Sequence, residues 1–236
     1  MVFYICCNDL SLNSYLSQMH DFDWIKTFLF FILEETGFKS CVRSLTPHYM
    51  VTFRHGTHLN YVKDSTVVRV LLISSGKQYD AVVTYICEEQ DYVILKSNEE
   101  VVERECPIQQ CDVMKRFVVC GFTKGLSELN FIRGTVYSVY PFVYENNGKQ
   151  YGAFVYGTAR TSLGDSGAAC FGTYGLMAIN LGTTTMPLKH HNEAISEAAV
   201  YSSNNYMIPA SRLIETLWNQ GNLLSDHIMK SVMWSI

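Results

Sequence analysis

From residue 49 to residue 208 the chain repeats one theme: short runs rich in Val, Ile, Tyr, Phe and Thr, broken by Gly-, Ser- and Asn-bearing turns. Such residues fit a pleated, half-buried surface, so the runs predict strands at 49–54, 66–74, 79–87, 92–96, 116–122, 134–144, 152–158, 168–171, 176–181 and 198–208. Ser74-Ser75-Gly76, Asn146-Asn147-Gly148 and Gly172-Thr173-Tyr174-Gly175 supply turn chemistry between them. Helical periodicity is scarce. The best case is 209–220, where Pro209 suits a first turn and Gly221 a stop, with Leu213, Ile214, Leu217 and Trp218 on one stripe. A weaker helix is predicted between residues 9 and 19. A polar stretch, 99–115, carries Pro107, Gln109 and Gln110 and divides two strand-rich halves; its acidic part, 99–105, reads as a solvated linker face. The pattern is that of an all-β protein, a barrel or a sandwich.

Composition narrows the partners. Lys and Arg number 18 against 22 Asp and Glu, a net charge of −4. A phosphate-backbone binder would show a basic excess, so no nucleic-acid partner is expected. Charged residues make up 17% and hydrophobic ones 48%, which argues for a packed core and against disorder as the main state. The longest apolar run, 28–33, is far short of the roughly 18 residues a spanning helix needs, so no membrane span is expected. Residues 1–7 are apolar but lack a basic leader and run straight into Asn8 and Asp9, a poor export signal. Several of the eight cysteines lie inside apolar runs and read as buried thiols, so an intracellular, reducing compartment is favoured. Cys106, Cys111 and the pair His190-His191 make only a weak zinc pattern, and no metal site is assigned.

The most informative segment is Gly164-Asp165-Ser166-Gly167, a serine set between glycines just ahead of an apolar run. Glycines give such a loop unusual dihedrals and let a substrate carbonyl approach, and the N–H groups of Gly164 and Ser166 could converge as an oxyanion hole. An ordinary β-turn with a solvated serine would give the same short pattern. A nucleophilic serine needs a base and an orienting carboxylate. Seven histidines compete. His55 follows the run Tyr49-Met50-Val51-Thr52-Phe53-Arg54 and so reaches a strand end, whereas His58 lies in a looser polar turn. Asp91 opens the run Asp91-Tyr92-Val93-Ile94-Leu95-Lys96.

Together these segments resemble the chymotrypsin-fold serine peptidases, in the order His, Asp, Ser. Thr52 to His55 is similar to the family's histidine segment, the run after Asp91 to its aspartate segment, and Gly164-Asp165-Ser166-Gly167 is the most specific match. Ile208-Pro209 ahead of a final helix resembles the HtrA-like branch, with no PDZ-sized segment after it. The resemblance implies two six-stranded antiparallel β-barrels and a C-terminal helix: 1–36 an extension, 37–105 the first barrel with His55 and Asp91, 106–236 the second with Ser166. It implies a Ser166 nucleophile, a His55 base oriented by Asp91, an oxyanion hole from Gly164 and Ser166, and no cofactor. It departs from secreted trypsins, with Gly56 where they carry cysteine and no activation-type N-terminus. Gly167-Ala168-Ala169 departs from the family's usual Gly-Gly-Pro and Asp165 from the Asn that HtrA-like members often carry, and viral 3C-like serine peptidases tolerate both. Arg54 replaces a small residue and is expected to crowd the base.

The resemblance also places substrate-binding residues: Arg160 and Thr161 before the serine, and Asn180, Leu181 and Gly182 on a later strand, with Leu181 as an apolar wall and Gly182 an open mouth. With no acid near Arg160, the residue before the scissile bond is expected to be Glu, Gln or a medium apolar residue. The partner is then a protein or peptide substrate, with oligomeric state unassigned. Two other readings stay open: a 3C-like polyprotein-processing serine peptidase, and an inactive peptidase-fold protein that binds peptides or a partner.

Overall fold

The computed structural model describes residues 23–146, 149–184 and 204–221. A four-residue helix, α1 (Asp23–Lys26), leads into six strands: β1 (Leu29–Leu33), β2 (Lys39–Ser44), β3 (Tyr49–Phe53), β4 (Val67–Leu72), β5 (Gln78–Cys87) and β6 (Tyr92–Ser97). Six more follow: β7 (Arg116–Gly121), β8 (Asn130–Asn146), β9 (Lys149–Gly157), β10 (Ala169–Phe171), β11 (Leu176–Thr184) and β12 (Asn204–Pro209), then helix α2 (Ala210–Asn219). Each set closes into a barrel, in the orders β1-β2-β3-β6-β5-β4 and β10-β11-β12-β9-β8-β7. Neighbouring strands within both barrels pair antiparallel. The expected two-barrel, all-β architecture with a C-terminal helix is the one observed.

The alternation of β4 and β5, exposed then buried, is that of strands with one face in water and one in a barrel core. β2, β6 and β10 are buried almost end to end. β2 approaches β10 of the other barrel, and the packed clusters mix the halves: Cys41 joins Val119, Phe122 and Cys170, while Phe30 and Ile94 share a cluster with Ala169 and Ile179. The seam between the barrels is therefore apolar on both sides, which fixes their relative placement.

Three expectations need adjusting. The first barrel begins at Leu29, ahead of Gly37, because the apolar run Leu29–Leu33 is a strand that pairs with β2 and closes the barrel on β4. Within the stretch 99–115, Val101, Val102 and Cys106 are buried, and the N–H groups of Val101 and Cys106 donate to Pro47 and Leu45, so this connection packs on the first barrel. In α2, Leu213, Ile214 and Leu217 are buried but Trp218 is exposed. The predicted helix at 9–19, His190-His191 and the first part of the strand predicted at 198–208 lie outside the described residues.

Candidate active site

β3 ends at Phe53, and the backbone is pinned there to the turn before β6: Arg54 N–H donates to the Asp91 carbonyl at 3.0 Å. His55 N–H donates to Asp91 Oδ1 at 2.9 Å, and His55 Nδ1 lies 2.6 Å from Asp91 Oδ2. Asp91 thus grips both the backbone and the ring of one residue. It does so from a left-handed conformation, φ 58°, which Asp tolerates better than most side chains. With Nδ1 facing a carboxylate, the neutral ring carries its proton there and offers a lone pair at Nε2. Ser166 Oγ lies 2.8 Å from that nitrogen. A second acceptor for the hydroxyl, the Leu181 carbonyl, is 3.2 Å away.

The serine loop is shaped by two glycines that cannot be replaced freely. At Gly164, φ 95°, an added Cβ would meet the Phe122 carbonyl oxygen at 2.2 Å. At Gly167, φ 75°, it would meet the Cys41 carbonyl oxygen at 2.5 Å and the Phe53 ring at 2.9 Å. The absence of a side chain at 167 is what lets the serine loop lie against β2 and β3, and so lets Ser166 reach His55 across the seam. Within the loop, the N–H groups of Asp165, Gly167 and Ala168 donate to the carbonyls of Ser162, Asn180 and Asp165. Those of Gly164 and Ser166 have no acceptor among the described residues. Asp165 is buried and anchors the loop by accepting from Thr123 Oγ1 at 2.8 Å and Ser162 N–H at 2.9 Å; burial pushes its carboxyl up.

Other residues singled out in the sequence fall as follows. Arg54 turns its guanidinium to the His58 carbonyl, so it braces the turn rather than crowding His55. Arg160 is exposed at the rim of the loop. Thr161 is buried and its hydroxyl meets Thr183 Oγ1 at 2.9 Å, a partner that the sequence reading missed. Asn180 is buried and bonded to the Asp165 carbonyl and to Asn205, so it holds the loop instead of lining a surface. Leu181 is fully buried and contributes its carbonyl to Ser166, not an apolar wall. Gly182 is half-buried and Tyr206 packs on it, its ring 2.7 Å from where a Cβ would stand, which narrows the mouth expected there.

Solved structures with this arrangement of strands are found. The active form of the Rv3671c protease from M. tuberculosis superposes with a TM-score of 0.63 at 13% identity, covering 88% of each chain. Its inactive form gives 0.61 at 13% identity, over 87% of this chain and 95% of that one. The chain has the chymotrypsin fold. The MamO protease domain from Magnetospirillum magneticum, apo form, adds a TM-score of 0.54 at 15% identity over 75% of this chain and 87% of its own. At such identities the likeness is one of fold. No protein-family model matches the chain, and no curated protein sequence does. Among the described residues no helix is long and apolar enough to cross a membrane.

Proposed function

We propose that the protein is a serine endopeptidase acting through Ser166, His55 and Asp91. The observation that carries this reading is the bridging ring of His55, 2.6 Å from the Asp91 carboxylate on one side and 2.8 Å from the Ser166 hydroxyl on the other. In that geometry Ser166 Oγ attacks a peptide carbonyl as Nε2 takes its proton, and Asp91 stabilises the imidazolium that forms. The developing oxyanion accepts from the N–H groups of Gly164 and Ser166, each donor contributing about 3–4 kcal/mol to the transition state. His55 returns the proton to the leaving amine, and water then hydrolyses the acyl-enzyme by the same route.

The loop chemistry supports a particular preference before the scissile bond. The acid between Arg160 and Gly167, Asp165, is buried and committed to Thr123 and Ser162. With that acid committed and Arg160 exposed beside the loop, Glu, Gln or a medium apolar residue suits the site better than Lys or Arg. A peptide-library profile dominated by Lys or Arg would refute this.

Intact-mass labelling with a fluorophosphonate tests the main reading. One adduct on the wild type, absent from Ser166→Ala and His55→Ala, is the expected result. A folded wild type that takes no adduct, or an adduct that survives Ser166→Ala, overturns it.

A further inference from the structure

Next to His55 lies a second histidine that the reaction does not use. His58 occupies the short 3-10 turn Gly56–Asn60 and its side chain is fully buried. Nδ1 lies 2.8 Å from the Phe53 carbonyl oxygen and Nε2 lies 3.1 Å from Glu34 Oε1. Both neighbours present oxygen atoms, so a ring protonated on both nitrogens can donate to each. Glu34 comes from the turn between β1 and β2, and the same Oε1 accepts from Ser40 Oγ at 2.6 Å.

The rings form one column. His58 stacks on Phe53 at 4.2 Å and on Tyr61 at 4.5 Å, and the Phe53 ring packs against His55 at 4.6 Å. The catalytic ring and the buried ring therefore share one phenyl group between them. A cation over an aromatic face is favourable, and a carboxylate at its far edge compensates the cost of burying it. The charged and titratable groups around His58 are Glu34 at Nε2, Tyr61 on the outer face, Arg54 at its carbonyl, and His55 with Asp91 beyond Phe53. Burial and Glu34 push the Tyr61 hydroxyl well up, which keeps it neutral.

We propose that Glu34 and His58 are a positioning pair for His55: a half-buried carboxylate on a buried imidazolium that clamps the β1–β2 turn to the histidine loop and, through Phe53, sets the seating and electrostatic surroundings of the catalytic ring. This rests on the serine-peptidase reading for its kinetic consequence, but not for its charge state. The pair is net neutral. Removing His58 alone leaves a carboxylate facing the column, which favours the protonated form of His55 and moves the midpoint of the activity profile to higher pH. The size expected of one unit charge roughly 10 Å away, at an effective dielectric constant of about 40, is about half a pH unit.

Two measurements test it. In protein carrying 15N-histidine, the ring-nitrogen spectrum of His58 should show both nitrogens protonated at pH 7; a neutral tautomer overturns the proposal whether or not the protein is an enzyme. The rate of fluorophosphonate labelling is then followed against pH. His58→Gln should raise the midpoint by about half a unit and lower the plateau, and Glu34→Gln/His58→Gln should return the midpoint to that of the wild type. A lower plateau with an unmoved midpoint would mean a merely structural pair and would overturn the proposal. A wild type with doubly protonated His58 but no adduct would instead count against the peptidase reading. If His58→Gln fails to fold, the double variant and the wild-type nitrogen spectrum still decide.

Discussion

Gly164→Ala isolates the serine loop from the rest of the molecule. Gly164 has φ 95°, and an added Cβ would be placed 2.2 Å from the Phe122 carbonyl oxygen and 2.8 Å from the Lys124 nitrogen. Both neighbours are backbone, held by the Lys124 N–H to Leu163 carbonyl bond of 2.6 Å, so neither can swing aside as a side chain would. Ordinary contact lies above 3 Å, and the loop must therefore retreat by about 1 Å, carrying the 164 N–H with it. Misplacing the proposed oxyanion donor by that much should slow fluorophosphonate labelling by about 10²- to 10³-fold. Stability should fall by the left-handed penalty, about 1–2 kcal/mol, plus the strain that the retreat does not relieve. Gly76→Ala is the control: φ is 70°, but nothing lies within 4 Å of its Cβ, so it should show the left-handed penalty alone and label at the wild-type rate. At about 2–4 °C per kcal/mol, the difference is readable by thermal unfolding beside the labelling assay. A Gly164→Ala protein that labels within about threefold of the wild type, with the Tm of Gly76→Ala, would refute the steric reasoning and the role of this loop.

Asp91→Asn should keep the fold, since Asn also tolerates φ 58°, yet reduce the labelling rate by about 10³- to 10⁴-fold through loss of the correct His55 tautomer, as single-turnover kinetics would show. Leu213→Ala should cost about 2–5 kcal/mol in urea unfolding because the side chain is fully buried, whereas Trp218→Ala, with about half of its surface already in water, should cost less. The Glu34 carboxyl is held below its ordinary 4.5, chiefly by the hydrogen bond from His58. Its contribution to stability is thus complete above pH 4.5 and drains away as the pH falls through the lowered value; Glu34→Gln should flatten that acid limb of Tm against pH.

The strands that face water on one side were legible because alternation survives in them, as in β4 and β5. β1 and β2 were not. Leu29–Leu33 has no alternation to read, and Lys39–Ser44 places Ser40, Arg43 and Ser44 in buried positions, so its polar letters suggest a surface that it does not have. That inversion comes from the seam between the barrels, which buries both faces of a strand that a lone barrel would leave half wet. The spacing-independent order of His55, Asp91 and Ser166 was readable because each lies in a short motif. The supports around them were not, since they join distant segments: Glu34 to His58, Asn180 to Asp165, Tyr206 over Gly182. Trp218 looked like core on a helical wheel, but α2 packs through a narrower stripe, tied to the first barrel by the bond of 2.8 Å between Tyr92 Oη and Thr216 Oγ1.

The thiols at the seam have a use of their own. Cys41 donates weakly to the Gly164 carbonyl at 3.5 Å, Cys120 pairs in register with Ala169, and Cys170 is wholly enclosed. All three are free, and burial pushes each up, Cys41 to about 12, so in the closed molecule they are protonated and out of reach of an alkylating reagent. Their alkylation at neutral pH requires this packing to open, and with reagent in excess its rate records how often it does. Because the proposed nucleophile and base stand on opposite sides of that seam, the same chemical clock includes the moments when those two residues are drawn apart.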